Sequence, residues 1–415
     1  MKFLLLIIYF LTLVTEMSAM SLFSGDFKTK GRYITASKIC KRYLLETTSR
    51  EKYCTYKFYR PHNGWKEDLN KVKYIKSSIT NRGDKEVNIL FWAVGERGWN
   101  SVATSAKLQP KETKTLQCNL RACFKDGTYK INPKRISHIE FIFVDAPKGS
   151  KIEILDINTV GVDDVFQLTS NRLEVPMIEN CKPKQGKRVI YPFAKNSNLY
   201  GVLYLPRDWT ADKSLPLIVE FPGNIYYTDN CYSTGRPEQC VIGYGMTKGD
   251  GALWLSLPFV DYSKDEIVES GWGNPDDTAD FTVKMVEKMR KEFRVDTSRV
   301  VLTGFSRGAI ACGFIGLRNS KIASLWKGMH VCQHFDGDGW RGANKKDAIL
   351  RLKNGIHIPQ FHTDNSSTVL YNMLNDANIK TTYTTSGLGA HACDMFLDDR
   401  QSTLELRTWL KNLFN

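Results

Sequence analysis

One stretch decides the fold, and it reads Arg299-Val300-Val301-Leu302-Thr303-Gly304-Phe305-Ser306-Arg307-Gly308-Ala309-Ile310-Ala311-Cys312-Gly313. Its first part is a short apolar run that predicts a buried strand, and its last part is a run of small residues that suits a closely packed helix. Ser306 lies between them in a Gly-x-Ser-x-Gly pentapeptide, whose glycines favour a strained turn where larger side chains would collide with the adjacent strand and helix. The stretch therefore predicts a strand, a sharp turn that exposes a serine, and a helix.

The segments around this stretch alternate between strand and helix patterns. Strands are predicted at 200–205, 217–221 and 253–257, and a helix is predicted over 276–293, where acidic residues open the segment and basic residues close it. Alternation of this kind favours a mostly parallel sheet with helices on both faces, because each parallel connection crosses the sheet. The second half of the chain is therefore predicted to be of the α/β class.

The first half has a different pattern, in which short segments alternate apolar and polar residues between clusters of turn residues. These segments lie at 72–76, 87–94, 137–144 and 151–157. Such a pattern is typical of an antiparallel β-sandwich. A polar stretch with Pro and Gly then suits a linker. We therefore divide the chain into a β-rich, basic, sandwich-like domain at 20–168, a linker at 169–186 and an α/β domain at 187–415.

The start of the chain predicts export. Residues 1–19 contain one positive charge, an apolar run, and small residues at Ser18 and Ala19, which is the order found in a cleaved signal peptide. The alternative is a membrane anchor, but the run is shorter than the ~20 apolar residues that a bilayer requires. No later apolar stretch is long enough to span a membrane. A secreted, extracellular protein is therefore expected.

Cysteine usage and a sequon agree with export. The chain has ten cysteines, all after residue 19, and an even set in an exported chain favours disulfide bonds. The shortest loops are those between Cys40 and Cys54, Cys118 and Cys123, and Cys231 and Cys240. Cys312 lies in an apolar helical run, where a buried thiol is the alternative. Asn365-Ser366-Ser367 is an N-glycosylation sequon, so a glycoprotein is expected.

The net charge of +14 is concentrated in the first half. Residues 20–165 contain about 27 Lys and Arg against about 16 Asp and Glu, so roughly +11 of the charge lies there. A basic surface favours an anionic partner such as an acidic polysaccharide or a membrane face, and the alternative is an ordinary soluble surface. No nucleic-acid-binding motif is present, so nucleic acid is not an expected partner.

The sequence has no nucleotide-binding fingerprint and no convincing metal cluster, so no cofactor is expected. Asp336 and Asp338 have a spacing found in calcium loops, but the other ligand positions of that motif are missing, so a plain turn is predicted.

The predicted chemistry depends on three side chains. A serine hydroxyl needs a histidine to take its proton, and that histidine needs a carboxylate to fix its tautomer. His391 is the predicted base, because glycine-rich flanks let a loop bring an imidazole over the sheet edge. Asp364 follows the predicted strand at 356–361 and is the predicted acid, with Asp336 and Asp338 as competitors. Four other histidines are expected to be structural or to line a pocket; they are His330, His334, His357 and His362.

An oxyanion that forms during attack by serine needs backbone N–H donors. One donor is predicted at Arg307, directly after the nucleophile, and the other at Gly223 or Asn224, in the turn after the strand at 217–221. The tyrosine-rich loop that follows, at 225–235, is interpreted either as a pocket wall together with Trp272 or as an ordinary surface loop.

These residues resemble the α/β-hydrolase superfamily, and residues 295–308 are similar to secreted esterases related to polyhydroxybutyrate depolymerases and feruloyl esterases. The resemblance covers about residues 190–415. It implies hydrolysis of a carboxylic ester through an acyl-enzyme, with Ser306, Asp364 and His391 as the triad. Arg307 stands where those esterases often have a different polar residue, and the basic β-rich domain is not part of the pattern. The substrate is therefore left as an acylated polysaccharide, another polymer or a lipid-like ester.

Three alternatives stay open at this point. Similar hydrolase domains with β-rich front domains cleave peptides, and others are catalytically silent and serve adhesion or signalling. Trp65, Trp92 and Trp99 could stack sugar rings if they formed a surface row, although aromatic residues in a sandwich are usually part of the core.

Overall fold

The computed structural model describes residues 20–21, 27–62, 64–65, 68–96, 98–161, 172–335, 337–365 and 367–415. The chain divides into a front unit, which contains Met1–Thr169 and Tyr227–Tyr232, and a second unit, which contains Ser170–Tyr226 and Ser233–Asn415. The predicted signal peptide and residues 169–171 of the predicted linker lie outside the described residues. Within the described ranges, no helix is long and apolar enough to cross a bilayer.

The front unit contains antiparallel strands. They are β1 (Met20–Ser21), β2 (Thr29–Arg32), β3 (Ile34–Ile39), β4 (Arg42–Thr47), β5 (Tyr53–Tyr59), β6 (Val72–Asn81), β7 (Val87–Gly95), β8 (Ser101–Leu108), β9 (Thr113–Asn119), β10 (Ile136–Val144), β11 (Lys151–Ile154) and β12 (Asn158–Gly161). One sheet has the order β1-β12-β6-β11-β4-β3, with β9 also paired to β6. The other has the order β2-β5-β10-β7-β8. Short 3-10 helices lie at Leu69–Lys71 and Pro133–Arg135.

Residues of both sheets share one apolar core. In the central strand β10, Ile139, Phe141 and Phe143 point into this core together with residues of β4 and β6. Because side chains alternate along a strand, His138 and Glu140 of β10 lie on the opposite face. That face therefore carries polar side chains that need partners.

The segment Tyr227–Tyr232 supplies those partners within the front unit. The Tyr232 hydroxyl donates to Glu140 Oε2 at 2.7 Å, while His138 Nε2 lies 3.3 Å from Oε2 and Lys57 Nζ lies 3.6 Å from Oε1. Glu140 is 0% exposed. A buried carboxylate is costly unless it is paired and hydrogen-bonded, so Tyr232 is part of what stabilises this unit.

The three tryptophans of the front unit do not form a surface row. Trp92 and Trp99 are buried. Trp65 is partly buried, packs against Phe27 with ring centroids 5.9 Å apart, and donates its indole N–H to the Ile136 carbonyl at 3.0 Å. Their packing matches the interpretation of these residues as core.

The second unit alternates strands and helices. Its strands are β13 (Ile178–Glu179), β14 (Arg188–Pro192), β15 (Tyr200–Tyr204), β16 (Leu217–Phe221), β19 (Leu253–Ser256), β20 (Phe259–Asp261), β21 (Glu266–Val268), β22 (Val300–Phe305), β23 (Gly328–Cys332), β24 (Gln360–Thr363) and β25 (Thr381–Thr384). The strands β17 (Ile225–Thr228) and β18 (Cys231–Thr234) contain the segment Tyr227–Tyr232 that is assigned to the front unit. Its helices are α1 (Ile242–Thr247), α2 (Pro275–Phe293), α3 (Arg307–Phe314), α4 (Ser320–Ala323), α5 (Lys345–Lys353), α6 (Thr368–Asp376) and α7 (Gln401–Phe414). Short 3-10 helices lie at Pro237–Gln239, Trp340–Gly342 and Asp394–Leu397.

The main sheet has nine strands in the order β13-β14-β15-β19-β16-β22-β23-β24-β25. The six strands from β19 to β25 in this order run parallel, whereas β15 is antiparallel to both of its neighbours. The small strand β13, inside the stretch predicted as a linker, already pairs with β14. The predicted α/β class of this half is confirmed, and so is the predicted helix, which is α2.

Helices cover both faces of this sheet. On one face, Val219, Leu302 and Val331 point into a core shared with α2, α3, α5 and α6. On the other face, the rings of His330 and Phe396 are 5.1 Å apart, and α7 lies against the strands through Trp409. The carboxyl ends of β22, β23 and β24 are thereby held at one edge, where this class of sheet places its ligand groups.

The cysteines differ from the disulfide expectation. All ten lie in the described residues and are free thiols. Cys40 and Cys123 are exposed whereas Cys54 and Cys118 are buried, so two of the three short loops would join sulfurs at different depths. Cys312 is a buried thiol that donates to the Gly308 carbonyl at 3.3 Å, which confirms the alternative predicted for it.

Candidate active site

Ser306 lies on the turn between β22 and α3, in a backbone conformation that few residues adopt. Its φ is 55° and its ψ is −118°. Its N–H donates to the Cys332 carbonyl at 3.2 Å, which ties the turn to the end of β23. A non-glycine residue in this region is strained, and such strain clusters at functional sites. The turn predicted from the pentapeptide is present.

The two glycines of the pentapeptide are required by close backbone contacts. A Cβ on Gly308 would meet the Phe221 carbonyl, and a Cβ on Gly304 would meet the backbone of Gly308. Any larger residue would push α3 away from β16 and β22. The glycines therefore allow the helix to begin directly at the serine.

The structure brings His391 to Ser306. The imidazole Nε2 lies 2.9 Å from the serine Oγ, which is hydrogen-bond distance for proton transfer to a general base. Burial, and in addition the nearby His334, lower the pKa of His391 to about 4. The imidazole is therefore neutral at pH 7 and able to accept the serine proton.

Asp364 does not bond to His391 in this structure. Its Oδ1 accepts the Ser386 N–H at 2.6 Å and its Oδ2 accepts the Ser386 hydroxyl at 2.5 Å. Asp364 itself has a φ of 54°, directly after β24. Because both carboxylate oxygens accept from Ser386, the predicted acid holds the start of the loop that carries the base. In the described residues the imidazole does not donate to Asp364.

A second contact holds the other end of this loop. Gln333, directly after β23, donates its side-chain N–H to the Ala390 carbonyl at 2.8 Å, one residue before His391. Arg400 donates to the Ser386 carbonyl at 2.7 Å. The loop is thus fixed at Ser386 and at Ala390, on both sides of the glycines that were expected to let it reach over the sheet.

The other candidates for the acid are not at the imidazole in the described part of the chain. Asp338 is exposed and pairs with Lys345 at 2.7 Å. Asp336 lies outside the described residues.

The other histidines have separate environments. His330 is fully buried between Thr303 and Thr363, with contacts of 2.7 Å and 3.0 Å, and burial lowers its pKa to about 3. His362 bonds to Gln360 at 2.8 Å, and burial lowers its pKa to about 3 as well. Both are structural, as expected. His357 is exposed, and the His334 ring centroid lies 5.6 Å from that of His391.

Asn365 of the sequon is 9% exposed. Its side chain accepts the Ser367 N–H at 3.4 Å and lies 3.4 Å from His362. Attachment of a glycan would require this amide to turn outward, so the folded structure does not favour the predicted glycosylation.

The predicted oxyanion donors meet at the same end of the sheet. Arg307 is the first residue of α3, so its N–H has no partner within the helix. Gly223 packs against Phe305, which lies next to Ser306 and whose ring is 4.7 Å from that of His391. Asn224 accepts the Gly271 N–H at 2.9 Å through its side chain. The turn after β16 is therefore beside the nucleophile strand.

The predicted loop at 225–235 contains a hairpin, in which β17 and β18 pair across Asp229 and Asn230. Trp272 is buried and lines a cleft of about 570 Å³ in the second unit, together with Asp261, Lys264, Glu266 and Arg341. Trp272 therefore lines a cleft, but residues 225–235 are not among the residues that line it, so the interpretation of that loop as a pocket wall stays a prediction.

Sequence reasoning missed three contacts at the site, those of Ser386, Gln333 and the Arg307 side chain. Gln333 had a usable signal, because it follows a strand that neighbours the nucleophile strand, and polar residues at that edge commonly serve a site. The contact of Ser386 depends on how the loop folds back onto Asp364, which no local pattern encodes.

No protein-family model and no curated protein matches the chain. Among solved structures, it is similar to fungal esterases from Rhizomucor miehei (11% identity, TM-score 0.36, 56% of this chain and 84% of that one). It is also similar to a thermophilic esterase from Thermogutta terrifontis (15%, 0.38, 56% and 93%) and to an acetyl ester-xyloside bifunctional hydrolase from Caldicellulosiruptor lactoaceticus (15%, 0.38, 56% and 98%). At these identities and TM-scores, the similarities do not identify a family.

Proposed function

We propose that this chain is a serine hydrolase that cleaves carboxylic esters through an acyl-enzyme, with Ser306 as nucleophile and His391 as base. The observation that carries the proposal is the 2.9 Å contact between His391 Nε2 and Ser306 Oγ on a turn where the serine has a φ of 55°. A chance contact between two polar residues does not require a strained backbone, whereas a nucleophile that must project from the sheet does.

The proposed reaction has two halves. Ser306 Oγ attacks the ester carbonyl as His391 Nε2 takes its proton, and the backbone N–H of Arg307 and one from the turn after β16 stabilise the oxyanion. His391 then returns the proton to the leaving alcohol. In the second half, a water molecule gives its proton to His391 and attacks the acyl-enzyme. The bond between the acyl carbon and Ser306 Oγ then breaks, His391 returns the proton to Oγ, and the acid is released.

A fluorophosphonate probe tests the nucleophile. We expect the wild-type protein to be labelled and Ser306→Ala not to be, while Ser298→Ala, which removes an exposed serine from another turn, is labelled like the wild type. We also expect Ser306→Ala to lower ester hydrolysis by at least about 10³-fold. An unlabelled wild-type protein would contradict the proposal and favour a catalytically silent fold.

A substrate panel tests the bond that is cleaved. We expect p-nitrophenyl esters to be hydrolysed and peptide amides with the same leaving group to be much poorer substrates. Equal or faster cleavage of the amides would replace the ester proposal with a peptidase. Varying the acyl chain length in the same panel measures the size of the acyl pocket.

We propose also that the protein is exported and acts on an acylated polymer, on the basis of residues 1–19 and of the basic first half. N-terminal sequencing of protein recovered from the medium should begin near residue 20. Binding to an acidic polysaccharide should weaken as salt screens the basic surface. Retention of residues 1–19 in the recovered protein would contradict export. Binding that is unaffected by salt would contradict an electrostatic contact between the basic surface and the polymer.

A further inference from the structure

The Arg307 side chain has an unusual environment. It is 1% exposed, and its guanidinium lies 3.9 Å from the centroid of the Phe259 ring. It donates to four backbone carbonyls that come from three separate segments. These are Val268 at 3.1 Å, Gly271 at 2.8 Å, Gly223 at 2.8 Å and Gly235 at 2.9 Å.

This cation has no carboxylate within salt-bridge distance among the described residues. A buried charge of this kind is expensive, and it is compensated here by carbonyl dipoles, by the aromatic ring and by the more distant charge of Glu269. Burial outweighs these and lowers the pKa of Arg307 to about 9. An apolar side chain would avoid this cost, so the arrangement calls for a role beyond packing.

The contact with Gly223 fixes one peptide unit. The Gly223 carbonyl and the Asn224 N–H belong to the same peptide, and in a trans peptide these two groups point in opposite directions. Because the carbonyl points at Arg307, the Asn224 N–H points away from the guanidinium. In the described residues, the Asn224 N–H has no acceptor.

The Asn224 side chain strengthens this arrangement. Its Oδ1 accepts the Gly271 N–H at 2.9 Å, and the carbonyl of the same Gly271 accepts from Arg307 at 2.8 Å. Arg307 and Asn224 therefore hold the turn after β16 from two sides, directly beside the turn that carries Ser306. A hydrogen bond to a carbonyl also polarises the N–H at the other end of the same peptide.

We propose that the Arg307 side chain is a positioning residue of the oxyanion site, which orients the 223–224 peptide so that Asn224, and not Gly223, supplies the second N–H donor. The proposal rests on the proposed function. Arg307 then contributes twice, since its own N–H is the first donor and its guanidinium sets the direction of the second.

Two substitutions test the side chain. Arg307→Lys keeps the charge but loses the planar fork of donors, and Arg307→Met keeps the approximate length without charge. Loss of one oxyanion donor costs about 10²–10³ in kcat, so we expect kcat to fall by at least about tenfold with a much smaller change in KM. The inhibition constant of a boronic acid, which mimics the tetrahedral state, should rise by a similar factor.

Arg188 offers a matched control. It is a buried arginine of the same unit that donates to the carbonyls of Pro237, Glu238 and Cys240 and lies 4.6 Å from the Trp254 ring centroid. Arg188→Lys and Arg188→Met should lower the melting temperature comparably while leaving kcat per folded molecule and boronic acid affinity within about twofold. If Arg307→Lys retains wild-type kcat, or the Arg188 variants lose as much, the positioning role is wrong.

A structure of the phosphonylated wild-type protein tests the donor without any substitution. The phosphoryl oxygen should lie within hydrogen-bond distance of the N–H of Arg307 and of Asn224, with the Gly223 carbonyl still on Arg307. An oxygen bound to the Gly223 N–H would overturn the assignment even if the Arg307 variants failed to fold. A wild-type protein that neither labels nor hydrolyses esters would instead contradict the proposed function, and the positioning role would fall with it.

Discussion

At the scale of single residues, the low pKa of His391 has a direct kinetic consequence. A general base acts only when neutral, and an ordinary histidine with a pKa of about 6.5 is mostly protonated at pH 5. Burial lowers the pKa of His391 to about 4, so the neutral form persists to lower pH. We expect kcat/KM for an ester to stay level from pH 7 to about pH 5 and to fall about tenfold per pH unit below about 4. A pH–rate profile on protein verified to be folded measures this.

The neighbouring imidazole gives the control for that profile. The His334 ring lies 5.6 Å from that of His391 and is the second cause of the lowered pKa. His334→Asn should therefore move the acid limb to higher pH, whereas His357→Asn, at an exposed position, should not move it. A wild-type midpoint near 6.5, or a shift of the limb to lower pH in His334→Asn, would contradict this account.

Some residues of the candidate site could be predicted because local sequence patterns define them, and others could not. Ser306 and His391 follow from a local pentapeptide and from a late, glycine-flanked histidine, and the structure brings the two side chains together. The hydrogen-bond partner of Asp364 could not be predicted, because a carboxylate accepts from whichever N–H or hydroxyl group the folded loop brings within reach. In this chain that group belongs to Ser386.

At the scale of elements, the loop that carries His391 depends on Ser386. Its hydroxyl donates to Asp364 and accepts the Leu388 N–H at 3.1 Å. Loss of hydrogen bonds of this kind costs about 1–3 kcal/mol, and a base displaced by about 1 Å loses about 10²-fold in rate. We expect Ser386→Ala to lower kcat by about 10- to 100-fold, and Asp364→Asn to do so to a similar extent, because both act through the same loop contact.

A control variant and a double variant test whether the loss of activity comes from the contact between Ser386 and Asp364. Ser298 donates its N–H and its hydroxyl to Asp296 at 2.9 Å and 2.6 Å within a local turn, so Ser298→Ala tests the loss of a serine–carboxylate contact elsewhere in the unit. The double variant Ser386→Ala/Asp364→Asn should be no worse than the poorer single variant. If Asp364→Asn alone lost about 10⁴-fold, as when a triad carboxylate is removed, Asp364 would act directly on the imidazole.

Elements with a clear period are predicted well, and short ones are not. The amphipathic pattern of α2 locates it to within one residue. The strand expected at 356–361 begins only at Gln360, because Pro359 has no N–H for the sheet and precedes the residues that pair with β25. The stretch at 225–234 forms a hairpin where a loop is expected, because its two-residue connection, Asp229-Asn230, lacks the glycine that marks a tight hairpin turn in a sequence.

At the scale of the whole molecule, the cysteines give a prediction that bears on the compartment. All ten are free thiols in the structure. The free thiols of the structure predict that a thiol-reactive dye titrates ten groups per chain in denaturant without prior reduction and that a reductant leaves the melting temperature unchanged, whereas the proposed export predicts fewer free thiols. A lower thiol count, with a melting temperature that falls on reduction, would instead support the disulfides expected from an exported chain.

The sequence pattern predicts only part of the division of the chain into two units. Near residue 170 the sequence pattern changes from strands alone to strands that alternate with helices. The first segment of the front unit ends at residue 169, close to this change. The hydrogen bond of Tyr232 to the buried Glu140 lies within the front unit, although 92 residues separate the two along the chain. No window around either residue indicates the other, so only the three-dimensional structure reveals it.

The assignment of Tyr227–Tyr232 to the front unit has a consequence for biosynthesis. A ribosome that has just added residue 169 has not yet made the Tyr232 hydroxyl that donates to Glu140, and it must translate 170–231 first. During that interval the carboxylate side of β10 is uncovered on a nascent chain, where a chaperone or a non-native contact can reach it. The front unit is therefore completed only when residue 232 has been made, and a gene fragment that stops at codon 168 encodes a protein that lacks its own last piece.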